Sequence, residues 1–418
     1  MNMKPFYFFV VLVFFFSACG KEGVADKTVF EAPDNMQLTK SEIGAVSGVN
    51  SFGFELLDNL NPDRENIVIS PLSISLALAM AETGAKGKTA EDMSSSLGLA
   101  GLTSAEVDAF YYKLTRDILQ QDEKVDFTIA NSMWINTASD IKVRQQYCDA
   151  CKFYFNSDIF SRDFTNSEGV TKEINAWISD NTAEKIKNLL FGINPGCSVV
   201  LANAVYFKAG WGVLFDPDTK DSFNGIKGNG TTDFLNLWHY LPYVTGDKFR
   251  MVVLPYNSGQ YNMAVVLPSD KSVTVSTALK EVSLKWSVIG TKDYPESEKR
   301  LVDFKMPSFS IEYYSILDNA LDGVGLGSMF NPEVADFSGL FDVNDGEKIT
   351  LGQVKHGAVI NVDRNGTEAA AATYVSEDGS SGQVEEITPI EFYANRPFGF
   401  IIFEKKAGSI IFIGTKNL

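Results

Sequence analysis

Few residues in this chain occur in the combinations that catalysis requires. There are two histidines, His239 and His356, and neither a G-x-S-x-G elbow nor an H-E-x-x-H pair. A Ser-His-Asp hydrolase or a zinc hydrolase therefore lacks its parts. Cys148 and Cys151 have C-x-x-C spacing, but they lie in the amphipathic stretch RQQYCDACKFYF with no histidine and no second such pair. That setting reads as small apolar helix residues, not a redox or metal centre. Of the four cysteines, Cys19 lies near the N-terminus, so Cys197 is the third that would remain in the folded part, an odd number for a disulfide framework. GAKGKT at 84–89 resembles the end of a phosphate loop, yet Glu82 occupies the position that needs the first glycine, where a carboxylate would repel phosphate. Gly323-Val324-Gly325-Leu326-Gly327 has the wrong spacing for a dinucleotide fingerprint and reads as a turn. Carboxylates abound, but no pair stands out as acid and base. No metal, cofactor or catalytic residue is expected.

The elements around these residues point outside the cell. Residues 5–19, PFYFFVVLVFFFSAC, carry an apolar run too short to span a bilayer but suited to a signal-peptide core. The run ends in Phe16-Ser17-Ala18-Cys19, which resembles a bacterial lipobox with Phe16 where Leu is usual. Cleavage after residue 18 would leave a lipidated Cys19, a flexible tether over 19–44 and one domain over 45–418. The expected location is the outer membrane, facing the periplasm or the cell surface. A net charge of −17 excludes a phosphate-backbone partner, because nucleic-acid binding needs concentrated Lys and Arg. Within the domain the first third reads as helical, with Ser70-Pro71 a sound helix start. SVVLANAVYFKAGW, KFRMVVLPY and YNMAVVLP read as strands, and FGFIIFEK and GSIIFIGT as a hairpin turning at Lys406-Ala407-Gly408. No repeat and no internal linker is visible, so a single α+β domain is expected.

Five segments, in order, resemble the serpin family: NIVISPLSISLALAMAETGAKGKT at 66–89, INAWISDNTAEKIKNLL at 174–190, LANAVYFKAGWGVLFDP at 201–217, KHGAVINVDRNGTEAAAATYV at 355–375 and FYANRPFGFIIFEKKAGSIIFIG at 392–414. The resemblance implies an α+β fold of three β-sheets with eight to nine helices, and an exposed reactive loop at about 364–391. It also implies a function. A serine or cysteine protease cleaves the loop, the N-terminal half of the loop inserts into the main sheet, and the acyl-enzyme is trapped. The expected partner is that protease, held covalently by a monomer. A non-inhibitory member that binds or supports other molecules is the alternative. By the same resemblance Ser70, Ser73, Asn203 and His356 form a polar cluster that holds the sheet shut, and Trp211 marks the place where insertion begins.

Insertion makes demands that the loop sequence can be tested against. The hinge must redirect the backbone, which suits Gly366. By strand alternation Thr367, Ala369, Ala371 and Thr373 share the buried face, while Glu368, Ala370, Ala372 and Tyr374 share the other. The buried set holds only Thr and Ala, so no charge has to be desolvated there. From Gly366 to Ser380 an extended chain covers about 46 Å. Two positions depart from the family pattern: Arg364 stands where Glu is usual and Ser308 where Lys is usual, while Glu377 prolongs the buried face. The scissile bond is expected among Ser380, Ser381, Val384, Glu385, Glu386 and Ile387. No Lys or Arg lies between Arg364 and Arg396, so elastase-like or acid-preferring enzymes are the expected targets and trypsin-like ones are not.

Overall fold

Ser70 begins the element that organises the molecule. Its hydroxyl accepts from the Ser73 backbone N–H at 3.3 Å, Pro71 follows at the first helical position, and the helix Pro71–Glu82 runs with every residue buried. A helix that is apolar all round must lie inside the protein. This one is sandwiched between Val199–Gly210 and Asp126–Asn136 on one side and the C-terminal strand Ser409–Lys416 on the other. In the computed structural model, residues 37–119, 122–139, 141–342, 349–367 and 388–418 are described. Cys19, the hinge residues Glu368, Ala369, Ala370, Ala371, Ala372 and Thr373, and the scissile candidates Ser380 to Ile387 lie outside them.

The main sheet has the strand order Phe309–Ile316, Gln353–Asp363, Gly366–Thr367, Val199–Gly210, Asp126–Asn136, Asp158–Arg162. A second system turns on one long strand, Gly228–Thr245. Its N-terminal part pairs with Asp216–Gly225 and with Lys299–Pro307, which carries Ile390–Tyr393 in parallel on its far edge. Its last residues pair with Phe249–Pro255, and the sheet continues through Tyr261–Pro268, Phe398–Glu404 and Ser409–Lys416 to Ile67–Ile69. With that strand counted in both parts, the chain makes three large sheets, accompanied by eight α-helices among the described residues, as the resemblance implied.

Three local expectations change. The first helix is Lys40–Asn59, closed by a capping box between Thr39 and Glu42, so residues 40–44 belong to the domain and not to a tether. The glycine cluster at 323–327 is not a simple turn. It is wound as a helical segment, Asp322–Leu326, kinked where Gly325 takes φ of +90°, and it runs on into Gly327–Phe330. The C-terminal hairpin turns over Lys405–Gly408, one residue more than read, with a register shift between Ile402 and Phe403. The expected helix over the cysteine pair is present as Gln145–Phe155; burial pushes the Cys151 thiol up to about 12, so it is inert at neutral pH.

The far end of the Pro71–Glu82 helix carries a liability. Glu82 is buried, its Oε2 has no hydrogen-bond partner, and burial together with Asp108 pushes its carboxyl up to about 7. A carboxyl raised in the folded state stabilises fully below its unfolded pKa near 4.5 and loses that contribution as pH rises through about 7. Glu82→Gln is therefore expected to be more stable than the parent at pH 8, by about 2 kcal/mol after allowance for solvent screening, with the difference shrinking toward pH 5. Denaturant unfolding at the two pH values checks this.

Candidate functional site: the loop hinge and the gap beneath it

The two central strands of the main sheet run parallel and pair directly only over their lower part, from Gln353 opposite Val200 to Ala358 opposite Val205. Above that point they part. Into the opening comes Gly366–Thr367, with Thr367 opposite Val362 on one side and Ala209 on the other, and Gly366 opposite Asp363 and Gly210. The chain reaches it by a tight turn through Arg364 and Asn365, whose backbone N–H donates to Asp363 Oδ1 at 2.6 Å. Gly366 has φ of +142°, and a Cβ there would stand 2.1 Å from the Ala209 carbonyl oxygen. Only glycine meets both conditions.

Thr367 is 1% exposed, and its hydroxyl lies 2.6 Å from the Tyr256 hydroxyl. Tyr256 in turn stacks on Trp211, with ring centroids 4.4 Å apart and planes 8° from parallel. The Trp211 indole N–H donates to the Asp363 carbonyl at 2.8 Å. Trp211 thus does stand at the opening, and it ties together the end of the Gln353–Asp363 strand, Tyr256 and the first hinge residues.

Below the opening lies the polar cluster. His356 is fully buried, opposite Asn203 in the parallel ladder. The Ser70 backbone N–H donates to His356 Nε2 at 3.3 Å, and His356 Nδ1 lies 2.6 Å from Asn203 Oδ1. With Nε2 accepting, Nδ1 carries the proton and donates to Asn203. That neutral tautomer agrees with burial, which pushes the imidazole down to about 3. The Asn203 amide group donates to the Ser73 carbonyl at 3.0 Å, and also meets the Ser73 hydroxyl and Asn131 Oδ1. Ser70, Ser73, Asn203 and His356 are therefore brought together. Asn131, fifth member of the cluster, was missed; its signal was a polar residue on the inward face of a strand whose neighbours on that face are Ile129 and Met133. His239 stands apart, on the sheet that carries Ile390–Tyr393.

Among the described residues, neither the hinge nor the cluster offers a nucleophile with a base. His356 has no exposure and its ring nitrogens are both engaged, by the Ser70 backbone N–H and by Asn203, while Ser73 bonds to Ser70 and Asn203. The arrangement instead ties the two parallel strands to each other and to the start of the Pro71–Glu82 helix below the opening.

Residues 47–417 match the family model described as serpin (serine protease inhibitor). Among curated proteins, the chain is 32% identical to an uncharacterized serpin-like protein of Thermococcus kodakarensis, covering 88% of this chain and 84% of that one. It is also 32% identical to intracellular coagulation inhibitor 2 of Tachypleus tridentatus, covering 88% and 90%. Among solved structures, the thermophilic serpin tengpin in its native state superposes with a TM-score of 0.79 at 29% identity, over 93% of this chain and 97% of that one. The match of residues 47–417, almost the whole domain, to the family model establishes that this chain belongs to the serpin family, a family described as serine protease inhibitors.

Proposed function

We propose that this protein inhibits proteases by a suicide mechanism, with the loop after Thr367 entering the main sheet once it has been cut. One observation carries the reading: Gly366–Thr367 already occupies the top of the gap between Gln353–Asp363 and Val199–Gly210, antiparallel to both. Extending that register downward places Ala369 between Ile360 and Phe207, Ala371 between Ala358 and Val205, and Thr373 between His356 and Asn203. Above Ala371 the strands are already parted; from Ala371 onward each step breaks one pair of the parallel ladder and makes two antiparallel ones, which are slightly stronger per residue. The 2.6 Å bond from His356 to Asn203 is the contact that the entering Thr373 must part. Glu377 falls one residue beyond the last ladder pair, Gln353 with Val200, at the end of the new strand rather than in its middle.

The side chains of the inward face suit such an event throughout. Thr and Ala meet the core on the inward face. On the other face the helix Ser167–Asn181 shares a hydrophobic cluster with Ala204, which Ala372 would meet, so a small residue is needed there; Tyr374 would meet Ala202 of the same cluster, which has to give way locally. Glu368 comes opposite exposed Asn361 and half-buried Lys208, where a carboxylate stays solvated and gains an opposite charge.

The scissile bond lies within Ser380 to Ile387 in this reading, and the absence of Lys and Arg favours elastase-like or acid-preferring proteases. The test is incubation of the purified domain with pancreatic elastase, subtilisin and a glutamyl endopeptidase. A complex that survives denaturing electrophoresis supports the proposal, as does a rise in unfolding temperature after loop cleavage. Clean cleavage with neither result would refute it and leave a non-inhibitory serpin. We also propose that Cys19 is lipidated and holds the domain at the outer membrane. Cys19→Ala should abolish incorporation of labelled fatty acid and move the protein from the membrane to the soluble fraction; unchanged membrane association would overturn that reading.

A further inference from the structure

The sheet that receives the C-terminal end of the loop presents a side that nothing described so far uses. In the strand triplet Gly228–Thr245, Lys299–Pro307 and Ile390–Tyr393, alternate residues face the core: Leu237, Val302, Phe304 and Phe392 are buried. Their neighbours face out. Trp238 lies opposite Asp303, which lies opposite Glu391, and Tyr240 lies opposite Leu301. Trp238 is 63% exposed and Tyr240 45%, high values for side chains of this size. Leu214, 67% exposed, lines one shallow cleft with Trp238 and His239. Two strand spacings put Trp238 about 10 Å from Glu391.

Both feet of the loop adjoin this face. The C-terminal foot is the strand Ile390–Tyr393 itself, fixed by the Tyr393 hydroxyl donating to Asp303 Oδ2 at 2.5 Å and by Lys305 Nζ 5.1 Å from the Tyr393 ring centre. The N-terminal foot is Gly366, paired with Gly210, four residues before Leu214. The chain between the feet sets where an enzyme attached to it can be. A bond anywhere from Ser380 to Ile387 lies within about 10 to 33 Å of extended chain from Ile390. A protease domain of about 250 residues has a radius of gyration near 18 Å, hence a body about 45 Å across. A body of that size, held on so short a leash, has to rest on the surface beside the foot.

Resting on the proposed inhibitory function, we propose that the outer face carrying Leu214, Trp238 and Tyr240 is a docking surface for the body of the target protease, separate from the contacts its active site makes with the loop. Asp216, Asp303 and Glu391 edge this aromatic patch and belong to a chain of net charge −17. The complementary surface on the enzyme is therefore apolar with Lys or Arg at its rim. The face selects which proteases meet the loop quickly, a choice that the loop sequence alone does not make.

The experiment measures the rate constant of association and the stoichiometry of inhibition for the member of the three-protease panel that the parent protein traps fastest. Trp238→Ala is expected to slow trapping at least tenfold while stoichiometry, complex stability and unfolding temperature stay at parent values. Asp303→Asn with Glu391→Gln should flatten the dependence of that rate on ionic strength. Cleavage of a free peptide covering residues 363–392 by the same enzyme sets the loop-only rate. If Trp238→Ala changes the unfolding temperature, Leu214→Ala replaces it with the same expectation. A correctly folded variant that traps at the parent rate overturns the docking surface while leaving inhibition intact. If the parent traps none of the three, the inhibitory reading itself fails, and the docking surface with it.

Discussion

Ala371→Glu turns the inhibitor into a substrate: the protease cleaves the loop at an unchanged rate, the denaturation-resistant complex disappears, and active protease is recovered in full. The register that begins at Thr367 places residue 371 between Ala358 and Val205, both fully buried. A carboxylate arriving there has no partner and would cost several kcal/mol to desolvate. Trapping is a race between insertion and hydrolysis of the acyl-enzyme, and each 1.4 kcal/mol added to the insertion barrier slows it about tenfold. Even about 3 kcal/mol gives the race to hydrolysis by about two orders of magnitude. The native fold is untouched, because in the uncleaved protein the gap at that level is closed by the Ala358–Val205 pair itself. Ala371→Thr is the control. Thr occupies 367 and 373 on the same face, and that variant should keep most of its complex yield. A gel time course with both variants decides the matter, and a complex from Ala371→Glu equal to the parent's would sink the register.

The difference between those two variants also shows what the sequence could and could not convey. Alternation alone told which residues share a face, since the period of a strand is fixed by its geometry. It could not tell that both faces are covered. The covering over Ala204 comes from the cluster around Ser167–Asn181, a helix remote in sequence from the loop, so the smallness of Ala372 acquired its reason only from the tertiary structure. Gly366 is a similar case. A glycine at a hinge is legible as conformational freedom, but the 2.1 Å approach of a would-be Cβ to the Ala209 oxygen arises from a strand more than 150 residues earlier in the chain. Local signals fared better. Ser70-Pro71 fixed the start of the buried helix to the residue, and the β-branched runs located the strands, because caps and alternation are short-range physics. The start of the first helix was misplaced for the opposite reason. Its capping box, Thr39 with Glu42, was present in the sequence but lay in a polar stretch that composition alone assigned to a tether.

The second large effect belongs to His356. Replacing it with Leu removes the partner of two buried groups, the Ser70 N–H and Asn203 Oδ1. Leaving a buried donor and acceptor unpaired costs about 1–3 kcal/mol each, so the uncut protein is expected to lose about 2–6 kcal/mol. The cleaved, inserted form should lose less, because there Thr373 already separates residue 356 from Asn203 and can itself serve the asparagine. A merely structural histidine would weaken both forms alike, so denaturant unfolding of the two forms distinguishes the roles. The variant should also insert its uncut loop on standing, lose inhibitory activity over hours and gain thermal stability as it does so, since the bond that the entering strand must part is already gone. pH supplies a further check. Burial holds the His356 imidazole down at about 3 against an ordinary 6.5, so its share of stability is complete above about 6.5 and drains away as pH falls toward 3. At pH 4 that loss amounts to about 3 kcal/mol, and Glu82 acts in the opposite direction over part of the same range. Subtracting the His356→Leu profile from the parent profile cancels the Glu82 contribution, and the difference should shrink as the solution is acidified. A difference that stays constant from pH 8 to pH 4 would mean that the imidazole is not held neutral by the cluster, and that the closed gap rests on the strand ladder alone.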